Sequence, residues 1–131
     1  MKPLLRALIG LSGLVSIATA LLLWIGMERI LPTIGLMTTD LANGLVGRAT
    51  VRADIGGMFS GIGVAMLIAA YRESRAWAGA ALLFVSLALT GRLISLALDG
   101  APAEAIPPIA IEAIALALLT SYRARLHQTA V

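Results

Sequence analysis

The sequence predicts an all-α protein, a bundle of four transmembrane helices, from its composition and its long apolar runs. Of the 131 residues, 60% are hydrophobic and only 13% are charged, which is too apolar for an ordinary water-soluble domain. A helix needs ~20 mostly apolar residues to cross a hydrocarbon core, and four stretches meet this requirement. The predicted spans are residues 4–27, 51–71, 76–98 and 107–122, within one membrane domain covering residues 1–131. Because these runs are continuous rather than alternating, helices are favoured over a β-barrel.

The connections between the spans carry signals for helix ends. Asp99-Gly100 ends the third span, and Pro107 and Pro108 begin the fourth, where a missing N–H costs nothing. Between spans 1 and 2, apolar residues of the segment 30–50 recur at helical spacing. This spacing predicts a short interfacial helix, with an ordered loop as the alternative. Aromatic rings favour the membrane–water boundary, and four fall near predicted span ends: Trp24, Tyr71, Trp77 and Tyr122.

The basic residues surround the span ends instead of forming a stripe, so the net charge of +3 does not indicate nucleic acid as a partner. Six lie on the side of the chain termini: Lys2, Arg6, Arg72, Arg75, Arg123 and Arg125. The opposite side has Arg29, Arg48 and Arg52. Cytoplasmic loops carry the excess of Lys and Arg, so we expect both termini in the cytoplasm. Arg123, Arg125 and His127 are expected to form a solvated tail.

Two charged residues lie inside the predicted spans, Arg92 in the third and Glu112 in the fourth. Each is ten residues from position 102, the middle of the connecting loop, so an antiparallel hairpin places them at similar depth. With a rise of ~1.5 Å per residue, Arg92 lies roughly 9 Å inside the end of its span. The sequence therefore predicts a direct Arg92–Glu112 ion pair. This pair is either a strut that locks the hairpin or part of a functional site.

Other ionisable residues in the outer halves of the spans, on the side away from the termini, belong to the same predicted polar layer. Its members besides Arg92 and Glu112 are Glu28, Arg52, Asp54 and Asp99. A charge at the bilayer centre costs ~2.5–3.5 kcal/mol, so we expect the members to pair inward. Asp54 shares a helix face with Gly57 and Gly61, whose spacing lets a neighbouring helix approach closely, within the chain or in a dimer. The layer is either structural or ligand-binding.

The chain lacks side chains on which several kinds of site depend. It has no Cys, and its one His is near the end of the sequence, so disulfides, iron–sulfur clusters, thiol catalysis and intramembrane haem ligation are excluded. It has no Gly-rich phosphate loop with Lys, no HExxH motif and no Ser beside a His. Arginines among the carboxylates argue against a metal site, so we expect no metal and no cofactor. The remaining chemistry is acid/base work by carboxylates or recognition of an anion by Arg52 and Arg92.

Three features carry a resemblance to a known family: the segments RADIGGMFSGIG and GRLISLALDGAP, and a Glu early in span 4. Over roughly residues 5–123 the chain resembles a bacterial family of small four-span membrane proteins, domain-of-unknown-function family 4345. The most specific residues are Arg52, Gly57, Gly61, Arg92, Asp99, Gly100, Pro102 and Glu112. The resemblance implies a four-helix bundle in the bacterial inner membrane, and it implies no assigned activity.

The favoured function is that of an uncharacterised multi-pass inner-membrane protein whose polar layer stabilises the bundle. Its expected partners are the lipid bilayer, a lipid or other hydrophobic ligand, and a second copy or partner membrane protein. The alternative is an intramembrane enzyme or ligand-binding protein that acts on a hydrophobic or isoprenoid-like substrate through Glu112 or Asp54, with Arg92 and Arg52. A proton-coupled carrier is less favoured, because one four-helix protomer leaves little room for an alternating-access pathway.

Overall fold

The structure, a computed structural model, describes residues 2–34, 36 and 44–127. Over these residues the chain forms helices and turns, with no strand. The α-helices are α1 (Lys2–Ile25), α2 (Met27–Ile30), α3 (Gly44–Thr50), α4 (Gly57–Arg72), α5 (Arg75–Asp99) and α6 (Ile106–His127). Short 3₁₀ helices cover Leu31–Ile34 and Ala103–Ala105, and a π-helical turn covers Val51–Gly56 between α3 and α4.

Four helical segments are long and apolar enough to cross a membrane, which confirms the predicted all-α fold class. They are Pro3–Ile25, Leu45–Arg72, Arg75–Asp99 and Ala103–Leu126. The second segment begins earlier than the predicted span at 51, because α3 and the π-helical turn continue directly into α4. By the length and composition of its helices, the chain is a membrane protein.

The segment 30–50 has helical structure at both of its ends. It begins with the last residue of α2 and a 3₁₀ helix, and it ends with α3. Residue 35 and residues 37–43, in the middle of the predicted interfacial helix, lie outside the described residues.

The membrane-length segments form an up-and-down bundle. The helix α1 packs against α4, α4 against α5, α5 against α6, and α6 against α1. Short connections between α4 and α5 and between α5 and α6 make these neighbours antiparallel. We call the end where α1 begins, α6 ends and α4 turns into α5 the terminal end, and the end with the α5–α6 connection the distal end.

The main buried core lies in the terminal half of the bundle. On α5 the last buried residue is Val85, and on α6 the first is Leu119, so the distal parts of both helices are partly or fully exposed. Together the core residues are Ile9, Ile62, Ala65, Met66, Ala69, Ala70, Ala78, Ala81, Val85, Leu119, Tyr122 and Leu126. The helices α5 and α6 therefore pack around apolar side chains at the terminal end and are more open at the distal end, where the buried residues Ala20, Leu23 and Met27 belong to the first span and α2.

Glycines bring α1 against α4, but the contact is not at the predicted pair Gly57 and Gly61. A Cβ built on Gly63 would lie 2.8 Å from the carbonyl oxygen of Gly13, and one on Gly13 would lie 3.0 Å from the carbonyl oxygen of Gly63. Small residues permit this backbone contact. A Cβ on Gly57 or Gly61 would meet nothing within 4 Å among the described residues. Packing at these two positions is thus not made within the described chain, and packing against a second chain stays a prediction.

Tyr122, one of the aromatic residues near predicted span ends, points into the bundle. Its side chain is fully buried in the core, and its hydroxyl donates a hydrogen bond of 3.1 Å to the carbonyl oxygen of Ala69 on α4. A buried phenol needs such an acceptor because its O–H would otherwise lose its hydrogen bond to water. Tyr122 therefore links α6 to α4 in the terminal half.

The α4–α5 turn is held from two sides. Glu73 ends α4 in the left-handed conformation, with φ of 50°, and the Ser74 hydroxyl caps α5 by accepting from the backbone N–H of Trp77. Arg6 of α1 forms an ion pair of 2.9 Å with Glu73. The first helix therefore fixes the turn between the second and third spans.

Candidate functional site

Arg92 and Glu112 form the ion pair that the sequence predicts. Nε of Arg92 donates to Oε1 of Glu112 at 2.8 Å, across the α5–α6 hairpin. Gly100, at φ 99°, follows the last residue of α5, in a conformation that favours glycine. This glycine turn and the 3₁₀ helix Ala103–Ala105 bring the two helices back side by side. We call Arg92 and Glu112 the hairpin pair.

The hairpin pair continues two stripes of buried residues. On α5, Arg92 follows Val85 by seven positions, and on α6, Glu112 precedes Leu119 by seven. Residues seven apart lie on nearly the same helix face, and Val85 and Leu119 are core residues. Both charged side chains therefore lie on the bundle-facing stripes of their helices, in the half of the bundle that is more open.

The contact uses only part of the hydrogen-bonding capacity of either group. Oε2 of Glu112 is buried and accepts from no donor among the described residues. The side chain of Arg92 is 42% exposed and that of Glu112 is 17% exposed. No other described residue accepts a hydrogen bond from the Arg92 guanidinium. The pair is therefore single-pronged, unlike the two parallel bonds of a fork-like Arg–carboxylate pair, and it leaves donors available on Arg92.

Arg52, a second predicted member of the layer, contacts Trp24 instead of a carboxylate. The indole Nε1 of Trp24 donates to the carbonyl oxygen of Arg52 at 3.0 Å, and Nε of Arg52 donates to the carbonyl oxygen of Trp24 at 3.2 Å. A Cβ on Gly56 would lie 2.5 Å from Trp24 Nε1, so a glycine is needed for the indole to reach the π-helical turn. These contacts fasten the start of the second span to the end of the first.

The other predicted members have separate surroundings. Glu28 forms an ion pair of 2.8 Å with Arg48 of α3, and Asp99 accepts from the Ser95 hydroxyl at 2.6 Å. Asp54 is exposed, with no hydrogen bond or ion pair to any described residue. No such bond joins Arg52 or Asp54 to the hairpin pair among the described residues. The structure thus brings Arg92 and Glu112 together and does not bring the four groups of the enzymatic alternative into contact.

The chain matches the family model described as Domain of unknown function (DUF4345) over residues 4–122. It belongs to that family. The match confirms the resemblance that the segments around Arg52, Arg92 and Glu112 indicate. No curated protein and no solved structure matches this DUF4345 chain.

Four residues of this DUF4345 chain have contacts that the sequence interpretation missed: Trp24, Gly56, Tyr122 and Arg123. A signal for the glycine existed, because Gly56 and Gly63 are seven residues apart and therefore lie on one face of a helix. Arg123 and Arg125 are part of α6 and are partly buried, so the expected solvated tail is wrong for both. No sequence pattern distinguishes a buried Tyr122 from one at the boundary, since both need an apolar body and a polar tip.

Two further features bear on what the described residues can bind. Residues 2–34, 36 and 44–127 contain no group of three or more His, Asp or Glu positioned to hold a metal ion. An open groove of about 400 Å³ lies at the terminal end, between α1 and α4. It is lined by Pro3, Arg6, Ala7, Leu67, Ala70 and Tyr71. This groove is at the opposite end of the bundle from the hairpin pair.

Proposed function

We propose that this chain is a non-catalytic integral membrane protein, folded as one membrane domain, that binds phospholipid in its open distal half. The hairpin pair stabilises α5 against α6, and the remaining donors of Arg92 bind the phosphate of a phospholipid headgroup. One observation carries the proposal. Arg92 lies on a bundle-facing stripe inside a membrane-length helix, yet its guanidinium donates to a single oxygen of Glu112.

The cost of a charge in the membrane supports a phosphate as the acceptor. Arginine side chains near span ends extend toward the headgroups, where they find polar partners. Arg92 lies about 10 Å from the end of α5, so its long side chain can approach the headgroup level. The planar guanidinium suits a phosphate because it donates two parallel N–H bonds. The exposed apolar side chains of the distal half supply a surface for the acyl chains.

The distribution of basic residues supports an orientation in the bacterial inner membrane with both termini in the cytoplasm. In this orientation the hairpin pair lies in the outer leaflet. Because the natural chain has no Cys, single introduced cysteines report the topology directly. A membrane-impermeant maleimide applied to intact inner-membrane spheroplasts should label Ala101→Cys at the distal end. It should label Arg72→Cys at the terminal end only after lysis, and the reverse pattern would reject the orientation.

Lipid binding at Arg92 can be tested by native mass spectrometry of the delipidated protein titrated with phosphatidylethanolamine. Arg92→Lys keeps a cation beside Glu112 but loses the fork, so we expect binding about tenfold weaker than in the natural protein. Arg48→Lys is the matched control, since Arg48 lies at the same end in a pair with Glu28, and it should bind normally. Diacylglycerol, which has no phosphate, should not compete. Equal binding by the two variants, or competition by diacylglycerol, would reject the proposed site.

A further inference from the structure

We propose a second lipid site at the terminal end, in the groove between α5 and α6, where Arg123 binds the headgroup phosphate of an anionic phospholipid. The site is independent of the hairpin pair and of the function proposed for it. Under the proposed orientation it faces the cytoplasmic leaflet, which holds the anionic lipids that attract basic segments.

Arg123 is held between the helices without an acceptor. Its Nε is buried and has no hydrogen-bond partner among the described residues, and no ion pair joins it to a described carboxylate. A buried N–H without a partner has lost its hydrogen bonds to water and gained none in return, which costs free energy, whereas an exposed N–H still bonds to water. An anionic group reaching the guanidinium from the lipid side would bind its other N–H groups and offset the burial of the charge.

Gly79 makes room for this arginine. A Cβ on Gly79 would lie 3.3 Å from Nε of Arg123 and 3.8 Å from its Nη2. The guanidinium therefore lies across bare backbone of α5. Arg75 lies one turn nearer the start of α5, on the same face as Gly79, because residues four apart are neighbours on a helix surface. Arg75 thus adds a second positive charge on the face of α5 that Arg123 contacts.

The surrounding charge favours an anion. Among the segments at the terminal end, residues 2–9, 71–79 and 119–127, the one acidic residue is Glu73, and Arg6 is already paired with it at 2.9 Å. The same segments contain Lys2 and five arginines. Arg123 differs from the other arginines of this end in that its Nε is buried without an acceptor, so we assign the specific contact to it rather than to the general positive charge.

Lipid binding by the protein of residues 1–131 tests the site. The delipidated protein in neutral detergent is titrated with phosphatidylglycerol or phosphatidylcholine and examined by native mass spectrometry. The natural protein should prefer phosphatidylglycerol by about fivefold, since one arginine near a surface is expected to give an effect of that size. Arg123→Gln should abolish the preference. Arg125→Gln, which removes the same charge two residues along the same helix, should keep it.

A second variant separates the contact from the charge. Gly79→Ala leaves every charge in place but puts a methyl group 3.3 Å from Arg123 Nε, close enough to shift the guanidinium, so it should lower the preference for phosphatidylglycerol while the protein stays folded in a thermal melt. Equal losses in Arg123→Gln and Arg125→Gln, or no loss in either, would overturn the proposal in favour of diffuse attraction. Displacement of phosphatidylglycerol by millimolar inorganic phosphate would assign the site to free phosphate and overturn it as a lipid site.

Discussion

The bundle-facing stripes of α5 and α6 form an apolar core in the terminal half of the bundle and an ion pair in the distal half. In the terminal half the stripes carry Val85 and Leu119, and the helices close around an apolar core. Seven residues further toward the distal end the stripes carry Arg92 and Glu112, which bind each other and bury no further core. A charged side chain on a packing face needs a polar partner. The neighbouring helix can supply that partner only where the two helices are in contact. The hairpin pair therefore holds the distal parts of α5 and α6 together and leaves their bundle-facing surface open, whereas the distal end of the first span keeps the buried residues Ala20 and Leu23.

The largest expected effect comes from breaking the hairpin pair on one side only. Arg92→Met leaves the mostly buried Glu112 carboxylate without its partner, and we expect a loss of about 3 kcal/mol in the free energy of unfolding. Glu112→Leu should cost less, because Arg92 is 42% exposed and can extend toward the headgroups. The double variant should be close to the natural protein, since well-packed apolar residues replace a buried pair at little cost. Unfolding in mixed micelles with a denaturing detergent measures all three.

The distal ion pair of Glu28 and Arg48 is the control for this cycle. Glu28 is 70% exposed and Arg48 is 36% exposed, so removing either partner should change the free energy of unfolding by less than about 1 kcal/mol. If the loss of free energy of unfolding in the double variant equals the sum of the losses in Arg92→Met and Glu112→Leu, the two side chains do not stabilise each other. That result would reject the stabilising role of the hairpin pair in the proposed function, and it would not bear on the proposed lipid site.

A smaller effect should separate the two sets of glycines on the second span. Gly63→Ala forces a Cβ to 2.8 Å from the backbone oxygen of Gly13, and overpacking of this kind costs typically ~1–3 kcal/mol. Gly61→Ala meets open space within the chain, so it should be neutral or stabilising by up to about 1 kcal/mol, the helix propensity gained by alanine. If Gly61→Ala is instead the more harmful change, and the size of the purified species falls, the Gly57 and Gly61 face packs against a second chain.

Position along the chain was enough to predict the hairpin pair but not the glycine contact. Both helices of a short antiparallel hairpin start from the same turn. Counting ten residues in each direction from position 102 therefore places Arg92 and Glu112 at the same depth, whatever the arrangement of the other helices. Gly57 and Gly61 were grouped with Asp54 on the assumption of regular α-helical spacing. The π-helical turn Val51–Gly56 contains Asp54 and breaks its spacing from the two glycines of α4, because the hydrogen bonds of the turn span one more residue.

The single polar layer failed as a prediction of contacts for a different reason. Helix depth places six ionisable residues at one level, but their partners depend on how the helices are arranged around the bundle. The α5–α6 hairpin contributes the pair of Arg92 and Glu112, whereas Arg52 finds its acceptor on the neighbouring α1 at Trp24. A backbone carbonyl carries no sequence signal as an acceptor, so an interpretation that pairs arginines with carboxylates cannot anticipate this bond.

The smallest expected effect concerns the ion pair of the terminal end. Arg6 and Glu73 are 2.9 Å apart, with side chains 44% and 37% exposed, so water and salt screen their attraction. Arg6→Gln or Glu73→Gln should lower the free energy of unfolding by about 0.2–1 kcal/mol, and the loss should shrink as salt is raised. The hairpin pair lies within the apolar part of its spans, so the loss in Arg92→Met should change little over the same salt range. Suppose instead that the loss of free energy of unfolding in Arg6→Gln is independent of salt and equal to that in Arg92→Met. The pair of Arg6 and Glu73 would then be as well shielded from water as the hairpin pair, and the difference between the two halves would disappear.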